Sequence, residues 1–259
     1  MIVVTGMHRS GTSFLCQLLA AVGVEFGASR SWLPADEWNE RGYYEATDVL
    51  DLNSVLLTGF PRSKGRLKAA ASQVAYLALP GPKTAVRRAR RRRLELERVA
   101  AGHAGEAVKD PRFCLTLGCW LEVAEIESVV VCLRHPQSVA HSLWRRQRVP
   151  RWVALRFWSH HMNALLSQLP LDRSVPIRFE HLQDPELAPE QLELLRRGLS
   201  LTASPEDMVQ ARAQTFSARL VHAVDWDPLP AYAAKTWARL EEWAEEYRGR
   251  CETDRPARV

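Results

Sequence analysis

Two glycines near the start of the chain, Gly6 and Gly11, bracket a polar loop in the stretch TGMHRSGTS. Glycines at this spacing let successive backbone N–H groups wrap around an anion, and a following helix adds the positive end of its dipole. The loop therefore predicts an anion site. The alternative is a tight turn between a strand and a helix, without a ligand. The candidate anion ligands are Gly6, His8, Arg9, Ser10, Gly11, Thr12 and Ser13.

The lysine that follows the second glycine in ATP- and GTP-binding loops is missing here, because Thr12 and Ser13 come next. That lysine reaches the β- and γ-phosphates of a nucleoside triphosphate, so its absence argues against ATP or GTP. Arg9 inside the loop supplies positive charge instead, and its planar fork suits a terminal group that is planar in its transition state.

A second candidate site lies in the stretch VVVCLRHPQSVAHSLWRR. A kinase or GTPase carries a magnesium-binding aspartate after such a strand, and Arg134 stands there instead. Ser142 and Arg146 follow on a helix that Pro136 is well suited to start. Two arginines and a hydroxyl that converge on one spot form a phosphate site without a metal ion. An ordinary capped helix is the alternative.

The elements that must position these residues alternate between strands and helices. Strands are predicted at 1–5, in GEAVKDPRF up to Lys109, at 127–133 and at 174–179. Helices are predicted at 14–22, 49–57, 87–98, 115–126, 151–169, 187–198, 204–211 and 234–248, and from Pro136 onward. This alternation indicates a parallel sheet, whose ligands bind at the carboxyl ends of the strands. Residues 28–46 are predicted to form a loop, and 60–83 have no clear pattern.

Composition is that of a soluble globular enzyme, with 259 residues, 46% of them hydrophobic and 25% charged. We expect one domain over 1–259, with its nucleotide-binding motifs within 5–146 and a helical C-terminal portion at about 151–250. The net charge of +5 is consistent with simple solubility, with an anionic ligand or with a polyanionic partner.

The cysteines and the N-terminus favour a cytoplasmic protein. No basic and apolar leader opens the sequence, and no apolar run approaches the ~18 residues of a membrane span. The cysteines lack metal-binding spacing and are expected to be reduced and buried, and no metal site is expected. They are Cys16, Cys114, Cys119, Cys132 and Cys251.

Six arginines lie between Arg87 and Arg93, in the stretch VRRARRRRLELER. The pattern predicts an exposed helix with Arg–Glu pairs at i,i+4 spacing. The alternative is a patch that binds nucleic acid or another polyanion. Because no aromatic residues are interleaved and no second basic segment is in register, we expect no nucleic-acid partner.

Together the motifs resemble those of the sulfotransferases that use 3′-phosphoadenosine 5′-phosphosulfate (PAPS), in particular bacterial members and the tyrosylprotein-sulfotransferase branch. GMHRSGTSFL resembles the 5′-phosphosulfate loop, and LRHPQSVAHSLWRR resembles the 3′-phosphate segment. VKDPRF is similar to the K-D-P motif, and NERGYYE to an N-x-x-G-Y-x-E stretch. IRFEHL is similar to a Y-E-D-L element, with Phe179 in place of the tyrosine. The family's C-terminal nucleotide loop has no recognisable counterpart.

The resemblance implies a single P-loop-like α/β domain with a central parallel sheet flanked by helices. It implies sulfuryl transfer from PAPS to a hydroxyl, with adenosine 3′,5′-bisphosphate as product and no metal. The acceptor is a small molecule or a glycan, lipid or peptide hydroxyl, and its identity and the oligomeric state stay open. A kinase-like nucleotide enzyme and a polyanion-binding protein are the alternative functions.

The resemblance also implies roles in catalysis. Arg9, Lys109 and the N–H groups of the loop would stabilise charge that develops during transfer. A glutamate is the base in the resembling branch, and Glu45 is our choice. Partial burial is expected to raise the pKa of Glu45. Glu40, Glu37 and His8 are alternative bases, and Asp110 is expected to orient Lys109 or to start a helix.

Aromatic residues form a further candidate group. They would either stack against the acceptor or pack in the core. The residues concerned are Tyr43, Tyr44, Trp144, Trp152 and Trp158.

Overall fold

Four parallel strands form the central sheet in the part of the chain that the computed structural model describes, namely residues 1–27, 32, 42–62, 65–76, 78–216 and 228–253. The strands are β1 (Ile2–Thr5), β2 (Ala107–Lys109), β3 (Ser128–Leu133) and β4 (Ser174–Arg178). Their order is β2-β1-β3-β4, and every neighbouring pair is parallel. Parallel pairing requires crossover connections, which the helices provide.

Most of the predicted helices are present, but the helix predicted at 87–98 is divided into two. The helices are α1 (Thr12–Ala21), α2 (Thr47–Thr58), α3 (Arg66–Tyr76), α4 (Pro82–Arg90), α5 (Arg93–Gly102), α6 (Phe113–Leu121), α7 (Pro136–Gln147), α8 (Arg151–Leu166), α9 (Phe179–Gln183), α10 (Ala188–Gly198), α11 (Pro205–Thr215) and α12 (Ala231–Thr253). A short 3-10 turn, Leu171–Arg173, precedes β4.

Two hydrophobic clusters cover the two faces of the sheet. Val129 and Val131 of β3 belong to the first cluster, with α2 and α4 to α8, whereas Val130 and Cys132 belong to the second, with α1 and α9 to α11. Side chains of a strand alternate between faces, so a continuous apolar run is what a sheet covered on both sides requires. Helix α12 contributes to both clusters.

The register brings the carboxyl ends of the strands to one edge. Val4 is paired with both Lys109 and Val130, and Leu133 is paired with Arg178. The loops after the four strands therefore emerge side by side, and this edge holds the candidate site.

Two helices have no counterpart in the sequence predictions. Helix α3 lies in the region that had no clear pattern, and α9 was not predicted, because five residues directly after a strand are too few to show helical periodicity. Most of the predicted 28–46 loop lies outside the described residues. No helix of the described ranges is long and apolar enough to cross a membrane.

The arginine run is divided between α4 and α5. The predicted i,i+4 pairing is confirmed for Arg93 and Glu97, whose Nε and Oε1 atoms are 2.8 Å apart. The Arg88 side chain reaches α2, where it donates hydrogen bonds to the carbonyl oxygens of Leu56 and Leu57 in the last turn of that helix. A cation bonded to free carbonyls stabilises a helix C-terminus, so one arginine of the run has a structural role.

The cysteines are free, and all but Cys251 are buried. Burial raises the pKa of the Cys16 and Cys114 thiols to about 12, so both are protonated and unreactive near neutrality.

Candidate active site

The loop between β1 and α1 depends on its two glycines. Gly6 and Gly11 have φ angles of 147° and 92°, which other residues rarely adopt. A Cβ on Gly6 would lie 2.5 Å from the carbonyl oxygen of Cys132, and a Cβ on Gly11 would lie 2.2 Å from the ring of Phe179. The loop is thus packed against β3 and α9. Arg9 also has a positive φ, 70°, which is a strained conformation for a side-chain-bearing residue.

Two buried polar atoms at this loop lack a hydrogen-bond partner within the described residues. They are the Ser10 hydroxyl oxygen and Arg134 Nε. An unsatisfied buried polar group costs about 1–3 kcal/mol, and a bound ligand is one way to satisfy it. A hydroxyl and a guanidinium N–H both suit the oxygens of a phosphate or sulfate group.

Arg9 joins this loop to the segment after β3. Its Nε donates a hydrogen bond of 3.0 Å to the hydroxyl oxygen of Ser142 on α7, and its carbonyl oxygen accepts one of 2.8 Å from Arg134. Two stretches that the sequence singled out separately therefore form one cationic surface at the strand ends.

Arg146 lies one turn after Ser142 and contacts Tyr43. It donates a 2.5 Å hydrogen bond to the Tyr43 hydroxyl, and its guanidinium carbon is 5.7 Å from the ring centroid. Lys109 Nζ is 5.9 Å from the same centroid. Tyr43 thus lies between the cation at the end of β2 and the cation on α7.

Lys109 connects the loop to the candidate base. Its Nζ donates hydrogen bonds of 2.7 Å to Glu45 Oε1, 3.1 Å to the Tyr43 carbonyl and 3.4 Å to the Ser13 hydroxyl. The side chains of Lys109 and Glu45 are both buried. Because Ser13 is in the first turn of α1, Lys109 bridges the anion loop and the carboxylate.

The pKa of Glu45 differs from the sequence expectation. Burial alone raises the pKa of this carboxyl, but the charges of Lys109 and Arg112 outweigh burial and lower it below its usual value. Arg112 is 3.8 Å from Glu45 Oε2. The predicted increase was wrong because neither ion pair is visible in the sequence around Glu45. The carboxylate is ionised at neutral pH.

Asp110 organises the turn after β2. Its Oδ1 accepts hydrogen bonds of 2.9 Å from both the backbone N–H and the guanidinium of Arg112, and its Oδ2 accepts one of 3.1 Å from Asn53. Asn53 Oδ1 in turn accepts from Thr116 and Trp120, each at 2.8 Å. Asp110 therefore orders the turn before α6, whose N-cap residue is Arg112, and it orients Arg112 rather than Lys109.

His8 faces a pair of hydrogen-bonded aromatic residues. Its ring centroid is 6.0 Å from that of Tyr76 and 6.1 Å from that of His161. Burial lowers the pKa of His8 well below 6.5, and Arg112 lowers it further, so the ring is neutral. The pKa of His161 is lowered to about 3 by burial. The neutral His161 donates from Nδ1 to the Phe157 carbonyl and accepts from the Tyr76 hydroxyl at Nε2.

Helix α9 adds residues to which the sequence assigned no role. The ring of Phe179 lies 4.7 Å below the guanidinium carbon of Arg134. Glu180 Oε1 accepts a 3.1 Å hydrogen bond from the His135 N–H and lies 4.0 Å from Arg134 Nε. Burial raises the pKa of Glu180 despite the opposing charge of Arg134. The position of IRFEHL at a strand end is a signal that could have identified both residues.

The remaining candidates lie elsewhere. Trp158 is 1% exposed and packs in the core, so the core alternative holds for this residue. Trp144 and Trp152 are 48% and 66% exposed. Tyr44 packs on Phe26, with centroids 5.2 Å apart. The alternative bases Glu37 and Glu40 lie outside the described residues. No group of three metal-ligating side chains is found among the residues that the structure describes.

The fold is shared with a solved sulfotransferase domain. The sulfotransferase domain from the curacin biosynthetic pathway superimposes with a TM-score of 0.52 at 15% identity, over 93% of this chain and 97% of that domain. This likeness confirms the predicted fold, an α/β domain with a central parallel sheet flanked by helices.

Two further structures are similar at lower scores. The sulfotransferase domain of the Synechococcus PCC 7002 olefin synthase gives a TM-score of 0.49 at 16% identity, over 99% of this chain and 95% of that domain. Sulfotransferase STF1 from Mycobacterium tuberculosis H37Rv gives a TM-score of 0.45 at 17% identity, over 95% of this chain and 76% of that chain. No family model matches the sequence, and no curated protein matches it.

Proposed function

We propose that this protein is a sulfotransferase that moves a sulfuryl group from PAPS to a hydroxyl of an acceptor. The shared fold supports a sulfotransferase. The observation that carries the proposal is the contact of Arg9 with Ser142, which joins two anion-binding stretches at one sheet edge. A donor with phosphate at both its 5′ and 3′ positions needs two such stretches.

The loop residues would hold the 5′-phosphosulfate. Backbone N–H groups between Gly6 and Ser13 and the start of α1 offer donors, and the Ser10 hydroxyl, which has no hydrogen-bond partner among the described residues, offers another. Arg134 and Ser142 would hold the 3′-phosphate, since Arg134 Nε makes no hydrogen bond within the described ranges and has only the ion pair with Glu180 at 4.0 Å. The residues present therefore fit the donor, and no metal ion is part of the proposal.

PAPS supplies an activated sulfuryl group, and the side chains of the site act on the reacting atoms around it. The acceptor oxygen forms a bond to sulfur while the bond from sulfur to the leaving phosphate oxygen breaks. Arg9 and Lys109 stabilise the charge that develops on the leaving and sulfuryl oxygens. Lys109 is suited to this role because it already reaches Ser13 in the first turn of α1.

Glu45 is the proposed base that takes the proton of the acceptor hydroxyl. Its carboxylate is ionised and is held 2.7 Å from Lys109, so the base and the charge-stabilising cation are adjacent. His8 is the alternative, because its neutral ring can also accept a proton. The acceptor is a small molecule, or a glycan, lipid or peptide hydroxyl.

Calorimetry with two nucleotides tests the proposal. Adenosine 3′,5′-bisphosphate should bind at least ~10-fold more tightly than AMP, a difference of ~1.4 kcal/mol, because AMP lacks the 3′-phosphate. Ser142→Ala should reduce this ratio. Ser159→Ala, which removes a buried hydroxyl on α8, is the matched control and should leave it unchanged. Equal affinity of the wild-type protein for both nucleotides would contradict the proposal.

A further inference from the structure

The two carboxylate oxygens of Glu45 have different surroundings. Oε1 accepts the 2.7 Å hydrogen bond from Lys109. Oε2 makes no hydrogen bond within the described residues, and its ion-pair partner there is Arg112 Nη1 at 3.8 Å. Oε2 is also not one of the fully buried polar atoms that lack a partner in those ranges, so solvent can reach it. One oxygen is therefore occupied, and the other is open to a hydroxyl.

Arg112 is kept at this distance from Glu45 by Asp110. Asp110 Oδ1 lies 2.9 Å from both the backbone nitrogen and Nη1 of Arg112, and it accepts a hydrogen bond from each. The same Nη1 faces Glu45 from 3.8 Å, which is longer than the roughly 2.7–3.2 Å of an N–H···O hydrogen bond. Arg112 thus places a positive charge beside Oε2 without taking a lone pair of that oxygen.

A buried network fixes Asp110 in turn. Its Oδ2 accepts a hydrogen bond of 3.1 Å from Asn53, and Asn53 Oδ1 accepts one from Thr116 and one from Trp120. All four of these side chains are fully buried. Packing and hydrogen bonds of this kind hold a functional group to within about 0.5 Å. The fold therefore sets where the guanidinium of Arg112 lies.

We propose that Arg112 is a positioning residue, which keeps Glu45 ionised and leaves Oε2 open to take the proton of the acceptor hydroxyl. That proton moves to Oε2 while the acceptor oxygen forms its bond to sulfur and the bond from sulfur to the leaving phosphate oxygen breaks. The inference rests on the proposed function, because it assigns the proton-accepting atom of the same site and a residue that acts through that atom.

The charged and titratable groups around Glu45 determine the direction of the expected changes. They are Lys109, Asp110 and Arg112 at and after the end of β2, Arg62 after α2, and the Cys16 thiol on α1. Burial raises the pKa of Glu45, whereas Lys109 and then Arg112 lower it. Loss of the Arg112 cation should therefore raise the pKa of Glu45, and loss of the Asp110 anion should not.

Isotope-edited NMR of the glutamate carboxyl groups tests the inference in the full chain. The Glu45 signal is identified by its absence in Glu45→Gln. Arg112→Met should raise the measured pKa of Glu45 by about 1 or more, because an opposite charge within ~4–6 Å lowers a carboxyl pKa by about 1–3. Arg112→Lys keeps the charge without the planar fork and should give a smaller rise, which decides the matter if Arg112→Met does not fold. Asp110→Asn should give no rise.

Turnover separates positioning from a structural role. Conversion of labelled PAPS to free sulfate uses water as the acceptor hydroxyl, so no other acceptor is needed. Arg112→Met and Asp110→Asn should each lower this rate ~10-fold or more at neutral pH, since a misplaced catalytic group can cost ~10²-fold. The affinity for adenosine 3′,5′-bisphosphate should persist in both. In Arg112→Met alone, the loss of activity toward acid should begin at a higher pH.

Arg178→Met is the matched control. Arg178 is also a buried arginine, and it is paired with two carboxylates of α12 at 3.2 and 2.8 Å. This variant loses a buried cation at the end of β4, and it should leave the titration of Glu45 unchanged.

Three results would overturn the inference. The first is an unchanged titration of Glu45 in the Arg112 variants, and the second is an equal rise in Arg178→Met. The third is a bisphosphate affinity that falls in parallel with turnover, which would make Arg112 a ligand of the donor. Failure of the proposed function is separate, because it appears as absent bisphosphate binding and absent PAPS turnover. The NMR titration then still decides whether Arg112 controls the charge of Glu45.

Discussion

At the scale of single residues, Lys109 is the group on which both halves of the proposed chemistry depend. It is bonded to Glu45, to the carbonyl of Tyr43 and to Ser13. Lys109 thus helps Arg112 to keep the proposed base ionised, and it also reaches the loop that would hold the leaving group. A buried lysine is stable in this position because three acceptors replace its hydration.

Replacing Glu45 tests the base. Glu45→Gln keeps the shape of the side chain and an acceptor oxygen for Lys109 but removes the basicity. Transfer from PAPS should fall by ~10²-fold or more, while the affinity for adenosine 3′,5′-bisphosphate persists. Turnover is measured with labelled PAPS, and binding by calorimetry.

The control for this variant is Glu106→Gln, which changes a carboxylate paired with His103 at 3.1 Å, remote from the site, and should leave turnover unchanged. If Glu45→Gln stays active and His8→Asn, Glu37→Gln or Glu40→Gln is inactive, the base is one of those residues instead.

The ion pair of Glu45 also predicts a pH dependence of stability. The pKa of Glu45 is lowered from about 4.5 in the folded protein, so its ionised form stabilises the fold above that pH. This contribution should disappear as the pH falls below about 4.5 and through the folded-state value. In urea unfolding at decreasing pH, the stability gap between wild type and Glu45→Gln should therefore close. A gap that widens toward acid would contradict the lowered pKa.

At the scale of elements, α9 acts as a support for the anion loop. Phe179 at its start lies against Gly11 on one side and under Arg134 on the other. The fourth strand thus contributes to the site through the helix that follows it, although the strand itself carries no candidate ligand. The aromatic ring in this position fixes the distance between the loop and the arginine after β3.

Two glycines allow this support to be measured. Gly11→Ala should destabilise the protein by more than Gly23→Ala, because both residues have nearly the same positive φ, 92° and 91°, but only Gly11 is crowded. Strain from a positive φ costs about 1–2 kcal/mol in either variant. The excess in Gly11→Ala reports the clash with Phe179, and bisphosphate binding should weaken in that variant alone. Equal urea midpoints for the two variants would show that α9 does not constrain the loop.

At the scale of the whole molecule, the strand order decides which loops meet. With β1 between β2 and β3, the carboxyl end of β2 at Lys109 and the loops that carry Arg9 and Arg134 are neighbours. The carboxyl ends of β1, β2 and β3 therefore bring together cations from distant parts of the chain. A small anionic ligand at this edge would contact three crossover connections at once and should stabilise the whole domain.

A thermal-shift panel tests whether a ligand at this edge stabilises the whole domain, and it separates the alternative functions. At ~100 times its dissociation constant, adenosine 3′,5′-bisphosphate should stabilise the fold by about 2.7 kcal/mol and raise Tm by roughly 5–10 °C. ATP with magnesium and heparin should give smaller shifts. A larger shift with ATP and magnesium would favour a kinase-like enzyme, and a larger shift with heparin would favour a polyanion-binding protein.

The sequence by itself determined the strands, most of the helices and the two candidate anion-binding stretches. The runs of β-branched residues, the paired glycines and the spacing of Arg134 and Ser142 are local patterns, and local patterns are set by backbone geometry within a few residues. The tertiary structure decided which of these residues meet. Arg9 and Ser142 are 133 residues apart in the sequence, and Lys109 and Glu45 are 64 apart. Contacts at such separations depend on strand order and register, so the lowered pKa of Glu45 could not be deduced from the residues beside it.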